Sequence, residues 1–131
     1  DIIDKDPGAL KLAKNIYSMF GSFYMGYGGG PIPSAESNVV KNIAASQKFA
    51  RSGAKIIYAG LDITTYMNLK YELIEQLALR NSPLTDALVG LYSLWTTVQG
   101  LKAEPILYDA VAVGMVIWPE RLIRSSIHQR S

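Results

Sequence analysis

The chain has 131 residues, 49% hydrophobic and 18% charged, a composition that supports one globular domain and excludes a disordered segment. With 13 basic and 11 acidic side chains mixed along it, the net charge of +2 offers no footprint for nucleic acid or an anionic membrane. The lack of cysteine excludes disulfides, thiolate metal sites and cysteine nucleophiles, and the apolar runs fall short of the roughly 20 residues that span a bilayer, so a soluble, cytoplasmic protein is expected.

In chain order, Asp6-Pro7 can open a helix continued by Ala9 to Lys14, because an acidic cap and an early proline suit the unpaired N–H groups of a first turn. Ile16 to Phe20 reads as a short buried strand stopped by Gly21, and Met25 to Pro33 as a glycine-rich loop. Asn42 caps a predicted helix with Ile43, Phe49 and Ala50 inward and Gly53 as its stop. Ala54 to Ala59 reads as a central strand ending at Gly60. Leu69, Leu73, Ile74 and Leu77 mark an amphipathic helix. Ser82-Pro83 starts another, whose Leu84, Leu88, Leu91, Trp95 and Val98 form a predicted buried stripe. Asp109 precedes Ala110 to Trp118, a nearly all-apolar helix expected to be buried on most sides.

Strands alternating with helices predict an α/β class: an open, mainly parallel sheet with flanking helices, rich in helix. Ligands bind such sheets at the carboxyl ends of the strands, here the loops that begin at Gly21 and Gly60.

Three constellations near those ends can carry chemistry. In Ala35-Glu36-Ser37-Asn38 a carboxylate and an amide can converge in a turn on neighbouring sugar hydroxyls, although helix capping is the commoner use of such residues. In Leu107-Tyr108-Asp109-Ala110-Val111-Ala112-Val113, Asp109 can meet a hard cation or act as an ordinary cap. Tyr108 beside it can donate a proton, weakly for a phenol, or simply pack. Asp62, in Gly60-Leu61-Asp62-Ile63-Thr64, can be a ligand or a base, but is expected to tie down loop amides or cap the next segment.

Other features argue against alternatives. The run Gly26-Tyr27-Gly28-Gly29-Gly30 matches neither phosphate-binding glycine pattern. Asp1, Asp4 and Asp6 read as a solvated start. His128, the only histidine, sits in a basic tail with Arg121, Arg124 and Arg130 and is expected to be exposed, which leaves a Ser-His-Asp triad without a plausible member.

The order and spacing of Met19 and Gly21, Ala35-Glu36-Ser37-Asn38, Gly60 to Thr64 and Pro105 to Val113 resemble the C-terminal portion of the inosine-uridine preferring nucleoside hydrolases. The corresponding family segments read approximately Met-Gly-Gly, Ala-Glu-Phe-Asn, Gly-Leu-Asp-Val-Thr and Leu-His-Asp-Pro-x-Ala-Val. The likeness covers about residues 16–119 of what is expected to be one partial domain, with 120–131 as a basic tail. It implies hydrolysis of the N-glycosidic bond of ribonucleosides by a calcium-activated water, in nucleoside catabolism and salvage. It further implies that Glu36 and Asn38 bind ribose hydroxyls, that Met19 lies against the sugar, that Tyr92 contributes to the base pocket, and that Asp109 ligates Ca2+. Tyr108 stands where the family has a histidine proposed to protonate the leaving base, and Ser37 where it has an aromatic.

The family's N-terminal D-x-D-x-x-x-D-D signature occurs nowhere in the chain. Its carboxylates would complete a calcium shell of six to eight oxygens. A fragment or one part of a split protein is therefore expected, completed by an N-terminal complement or by assembly into a homo-oligomer. The alternative function is a non-catalytic chain that keeps a ribose-binding or subunit-docking surface.

Overall fold

The computed structural model describes residues 2–122, so the predicted exposure of His128 and most of the basic tail lie outside the described residues. Those residues form two compact units, one made of residues up to Tyr66 together with those from Tyr108 onward, the other of Met67–Leu107.

At the centre of the first unit, strand β1 (Ile16–Ser18) pairs in parallel with β2 (Ile56–Tyr58), Ile16 opposite Ile56 and Ser18 opposite Tyr58. Both strands are shorter than the sequence predicts, because Phe20 and Ala59 already belong to the loops that leave the sheet. The parallel pairing is as predicted, and the described residues are helix-rich around this small open sheet, which makes the architecture α/β. No described helix is long and apolar enough to cross a membrane.

The first unit begins with α1 (Ile2–Lys5), which the sequence did not reveal, and a 3-10 turn over Ala9–Leu12 where a longer helix was predicted. Asp6 accepts from the Gly8 N–H at 2.9 Å within a local turn, but the 3-10 turn starts from Gly8 with no side-chain cap, so the predicted capping by Asp6 is not seen. After the glycine-rich loop come α2 (Ser37–Val40) and α3 (Ile43–Ala50). Asn42 caps α3 by accepting from the Ala45 N–H at 3.0 Å. The inward face differs from the predicted one. Ser46 is the buried residue of α3, donating to the Val39 carbonyl at 2.8 Å, while Ile43 and Ala50 are exposed. Phe49 is half-buried, its ring edge-on to Phe20.

Past β2, α4 (Leu61–Thr64) buries Leu61 and Thr64 completely. The last two helices of this unit are α7 (Tyr108–Ile117), which packs on β1, and α8 (Pro119–Leu122). Val111, Ala112, Gly114 and Met115 are buried, whereas Val113, Val116, Ile117 and Trp118 face solvent. This corrects the expectation of burial on most sides. Among the described residues the sheet and α8 pack on α7 and leave these four side chains exposed.

In the second unit, α5 (Tyr71–Ala78) packs along α6 (Pro83–Gln99). Ser82 and Thr85 form a reciprocal capping box with Pro83 in the first turn, as Ser82-Pro83 foretells. The segment after α6 returns to the start of the unit. Leu69 N–H donates to the Pro105 carbonyl at 2.9 Å, Leu107 N–H to the Met67 carbonyl at 2.8 Å, and Tyr92 Oη to the Ala103 carbonyl at 2.8 Å.

Candidate functional site

The carboxyl ends of β1 and β2 are joined through Gly21, whose carbonyl accepts from the Leu61 N–H at 3.0 Å. Gly21 has φ of +88°, in the left-handed region where a side chain is strained. Opposite it, a Cβ on Gly60 would lie 3.1 Å from that same carbonyl, so both strand ends depend on glycine for close approach. The glycine-rich segment after β1 then makes a loop whose two ends meet, because Gly21 N–H donates to Glu36 Oε2 at 3.1 Å.

Glu36 is 3% exposed and is the residue on which this region is organised. It caps α2, with Oε1 accepting from the Asn38 N–H at 2.8 Å and Oε2 from the Val39 N–H at 3.2 Å. The remaining first-turn N–H, that of Ser37, donates to Tyr27 Oη at 2.9 Å. All three leading amides of α2 are thus satisfied within the chain. Of the two readings the sequence leaves open for this carboxylate, capping is seen directly.

Asn38 folds back on β1's exit. Its Nδ2 donates to the Met19 carbonyl at 3.2 Å and lies 3.3 Å from Met19 Sδ, while its Oδ1 accepts no hydrogen bond among the described residues. Met19 itself is buried. Met19, Glu36 and Asn38, drawn from separate positions of the sequence, are therefore in one place. A cleft of about 290 Å3 lined by Phe20, Gly21, Phe23, Glu36, Val39 and Tyr58 among others takes in Glu36 but neither Met19 nor Asn38. A larger cleft of about 540 Å3 lies among Lys11, Lys48 and Arg51 and takes in none of the predicted site residues.

Asp62 fixes the outer part of the loop. Its carboxylate accepts from three successive amides, Phe23 at 2.9 Å, Tyr24 at 2.6 Å and Met25 at 2.9 Å. Burial alone would push its pKa up. The backbone donors from Phe23, Tyr24 and Met25 and its own N–H outweigh that and hold the carboxyl below its ordinary value. This is the loop-tying role expected of Asp62. The rest of the loop is held by hydroxyls: Ser22 Oγ donates to the Met25 carbonyl and accepts from Ser34 N–H, and Ser34 Oγ accepts from Tyr27 N–H.

Tyr108 and Asp109 are the first two residues of α7, so Asp109 lies inside the first turn and not at the cap position, which would need the helix to begin at Ala110. Asp109 is exposed and Tyr108 half-buried, and neither side chain makes a hydrogen bond to Met19, Glu36 or Asn38. Tyr92 belongs to the second unit, where its hydroxyl is engaged by Ala103. The contacts of Tyr27 with Ser37 and of Gly21 with Glu36 were not identified from the sequence. The partners lie ten and fifteen residues apart through irregular backbone, where no periodicity signals a contact.

Parallel strands whose carboxyl-end loops gather a buried carboxylate and an amide define an α/β protein with polar groups collected at its strand ends. Residues 2–130 match the family of inosine-uridine preferring nucleoside hydrolases, and the chain belongs to that family. A comparison with curated proteins finds no match. At the level of the family, the chain is a hydrolase of N-glycosyl bonds in nucleosides.

Proposed function

We propose that this chain forms the sugar-holding wall of a nucleoside N-ribohydrolase, which uses water to split a ribonucleoside into free base and ribose. The observation that carries the reading is the buried Glu36 carboxylate, fixed by three backbone N–H groups at the exit of β1. A carboxylate has about four lone-pair directions, so one remains to accept from a ribose hydroxyl. Asn38 Oδ1 offers a second acceptor, because its Nδ2 is anchored on Met19. Both are ordered before a ligand arrives, which reduces the entropy lost on binding. Met19 would set its side chain against the sugar, and Tyr92 would contribute to the base pocket. In the reaction the water oxygen bonds to the anomeric carbon while the carbon–nitrogen bond breaks. The electron pair leaves with the base, and Tyr108 is assigned as the donor of the proton that the base takes up.

Ca2+ is the cofactor this chemistry calls for, to hold the ribose diol and the water together. The residues here do not build its site. No group of three or more His, Cys, Asp or Glu side chains able to hold a metal occurs among the described residues, and Asp109 brings one exposed carboxylate where calcium takes six to eight oxygens. Asp109 is accordingly assigned as a single ligand, with the other donors outside this set. That donor set favours a second reading, a chain that holds ribose without catalysing.

Calorimetric titration of the 131-residue chain with ribose, inosine and uridine tests the sugar site. Binding is expected, weakened at least tenfold by Glu36→Gln or Asn38→Ala, a loss of about 1.4 kcal/mol or more. Affinity unchanged in both variants overturns the reading. Assay of ribose release from inosine or uridine in calcium separates the two functions. No release is expected from this chain alone, and release would show that the donor set is complete after all.

A further inference from the structure

The larger cleft of the first unit, about 540 Å3, takes part in no step of the proposed hydrolysis. One side of it is formed by α1 and the 3-10 turn, the other by α3 and its C-terminal cap. Ala44, Gln47, Lys48 and Arg51 are spaced by three and four residues, so they lie along a single face of that helix. Opposite them the 3-10 turn supplies Lys11. Three cationic side chains therefore line one cleft.

Their charges are not balanced. Lys48 pairs with Asp4 of α1, whereas the side chains of Lys11 and Arg51 make no ion pair or hydrogen bond among the described residues. Lys48 and Arg51 stand at the negative end of α3, where a cation complements the helix dipole without any ligand. Lys11 has no such reason to be there. It comes from a different element, and its side chain reaches the end of α3, with Cε 3.5 Å from where a Cβ on Gly53 would lie. Bringing like charges to one cleft from separate elements raises the potential there and favours an anion. Two neutral donors stand with them. The Gln47 amide makes no hydrogen bond among the described residues, and Ser52 Oγ accepts from the Ala54 N–H at 3.3 Å, which leaves its own proton to donate. The rest of the lining is apolar, from Ile3, Pro7 and Ala44.

We propose that this cleft binds a small phosphate monoester, the phosphate held by Lys11 and Arg51 and the uncharged part laid on Ile3, Pro7 and Ala44. A phosphate monoester is close to a dianion at neutral pH and has three strong acceptor oxygens. That suits a guanidinium fork, an ammonium and the Gln47 and Ser52 donors together. The volume lies in the range of about 300–1,000 Å3 usual for small-molecule sites and far exceeds a free phosphate ion, which is why an organic part is included. The proposal is independent of the nucleoside reading, because the cleft takes in none of Met19, Glu36 and Asn38.

Calorimetric titration of the whole 131-residue chain with phenyl phosphate tests it, since that probe carries no ribose and bypasses the sugar site. One-to-one binding is expected, at least tenfold tighter than that of inorganic phosphate. Lys11→Gln and Arg51→Gln should each weaken it at least tenfold with helical circular dichroism retained. Lys55→Gln, an exposed site outside the cleft, removes the same charge and should leave it unchanged, as should Glu36→Gln. Asp4→Asn frees Lys48 for the ligand and should tighten binding, by no more than about fivefold because an exposed pair is weak. The amide resonances of Ser52 and Gly53 should shift on titration. No saturable binding at millimolar concentration overturns the proposal, as does a loss in Lys55→Gln equal to that in Lys11→Gln, which would reduce the effect to net charge. Inorganic phosphate bound as tightly as phenyl phosphate overturns the monoester and leaves a site for the free ion.

Discussion

The glycine-rich loop of the first unit and helix α6 of the second are held by opposite means. The loop has almost no regular structure, yet two carboxylates and two serine hydroxyls bind most of its turns. Glu36 joins its ends, and Asp62 takes three consecutive amides at its outer bend. Helix α6 is the longest regular element, satisfies its backbone internally, and leaves its most apolar stripe in water. The contrast shows that local order here follows from where polar groups are satisfied. Hydrophobic strength does not by itself decide which face is inward.

Breaking the loop at its strongest point should give the largest effect. Asp62→Ala strands the amides of Phe23, Tyr24 and Met25. Charge-assisted hydrogen bonds contribute about 1.5–3 kcal/mol each and overlap when shared on one carboxylate, so a loss of about 3 kcal/mol is expected. Urea unfolding measures it, and a loss below about 1 kcal/mol would mean that the serine hydroxyls hold the loop without Asp62. The pH dependence has a definite sign. Because the folded pKa of Asp62 lies below its ordinary value, its contribution is present above the ordinary carboxylate range and is lost as pH falls through the folded pKa. An Asp62→Asn variant should therefore lose less stability than wild type between neutral pH and the acid limb.

Glu36→Gln should come next, at about 1–2 kcal/mol. The amide keeps one acceptor oxygen for α2 but presents N–H groups where Gly21 or Val39 donates. Amide exchange sharpens the comparison with Asp62. Glu36→Gln is expected to speed exchange at Gly21 and Val39 and to leave Tyr24 protected, while Asp62→Ala does the reverse. Equal effects at both places would show that the loop opens as one body.

What the sequence disclosed follows from the same division. Asn42 and Ser82-Pro83 were legible because capping acts over three residues, within reach of local reading. The parallel pairing was legible from strand–helix alternation, and Asp62 as a loop tie from its place after a glycine. The convergence of Met19, Glu36 and Asn38 was legible only through family likeness, since Gly21 and Glu36 meet across irregular backbone. The outward stripe of α6, and the solvent-facing Ile43, Val113 and Val116, were not legible. A hydrophobic period shows which face of a helix is apolar, but the covering element is a property of the assembled chain.

The smallest effect is expected at a contact that resembles the loop clamps on paper. Lys70 Nζ lies 2.6 Å from Glu104 Oε2, and Glu104 Oε1 also accepts from the Tyr71 N–H at 3.3 Å, at the start of α5. The hydrogen bond to Lys70 comes first in holding the Glu104 carboxyl below its ordinary value, against the opposing pull of desolvation. Its contribution is thus present at neutral pH and lost on acidification, the same sign as for Asp62. The Lys70 side chain is 60% exposed, however, and an exposed pair is screened by salt and loses side-chain freedom when it forms. Lys70→Ala should barely move the urea midpoint at low salt and not at all at high salt. A salt-resistant loss approaching that of Glu36→Gln would mean that Glu104 anchors α5 as Glu36 anchors α2.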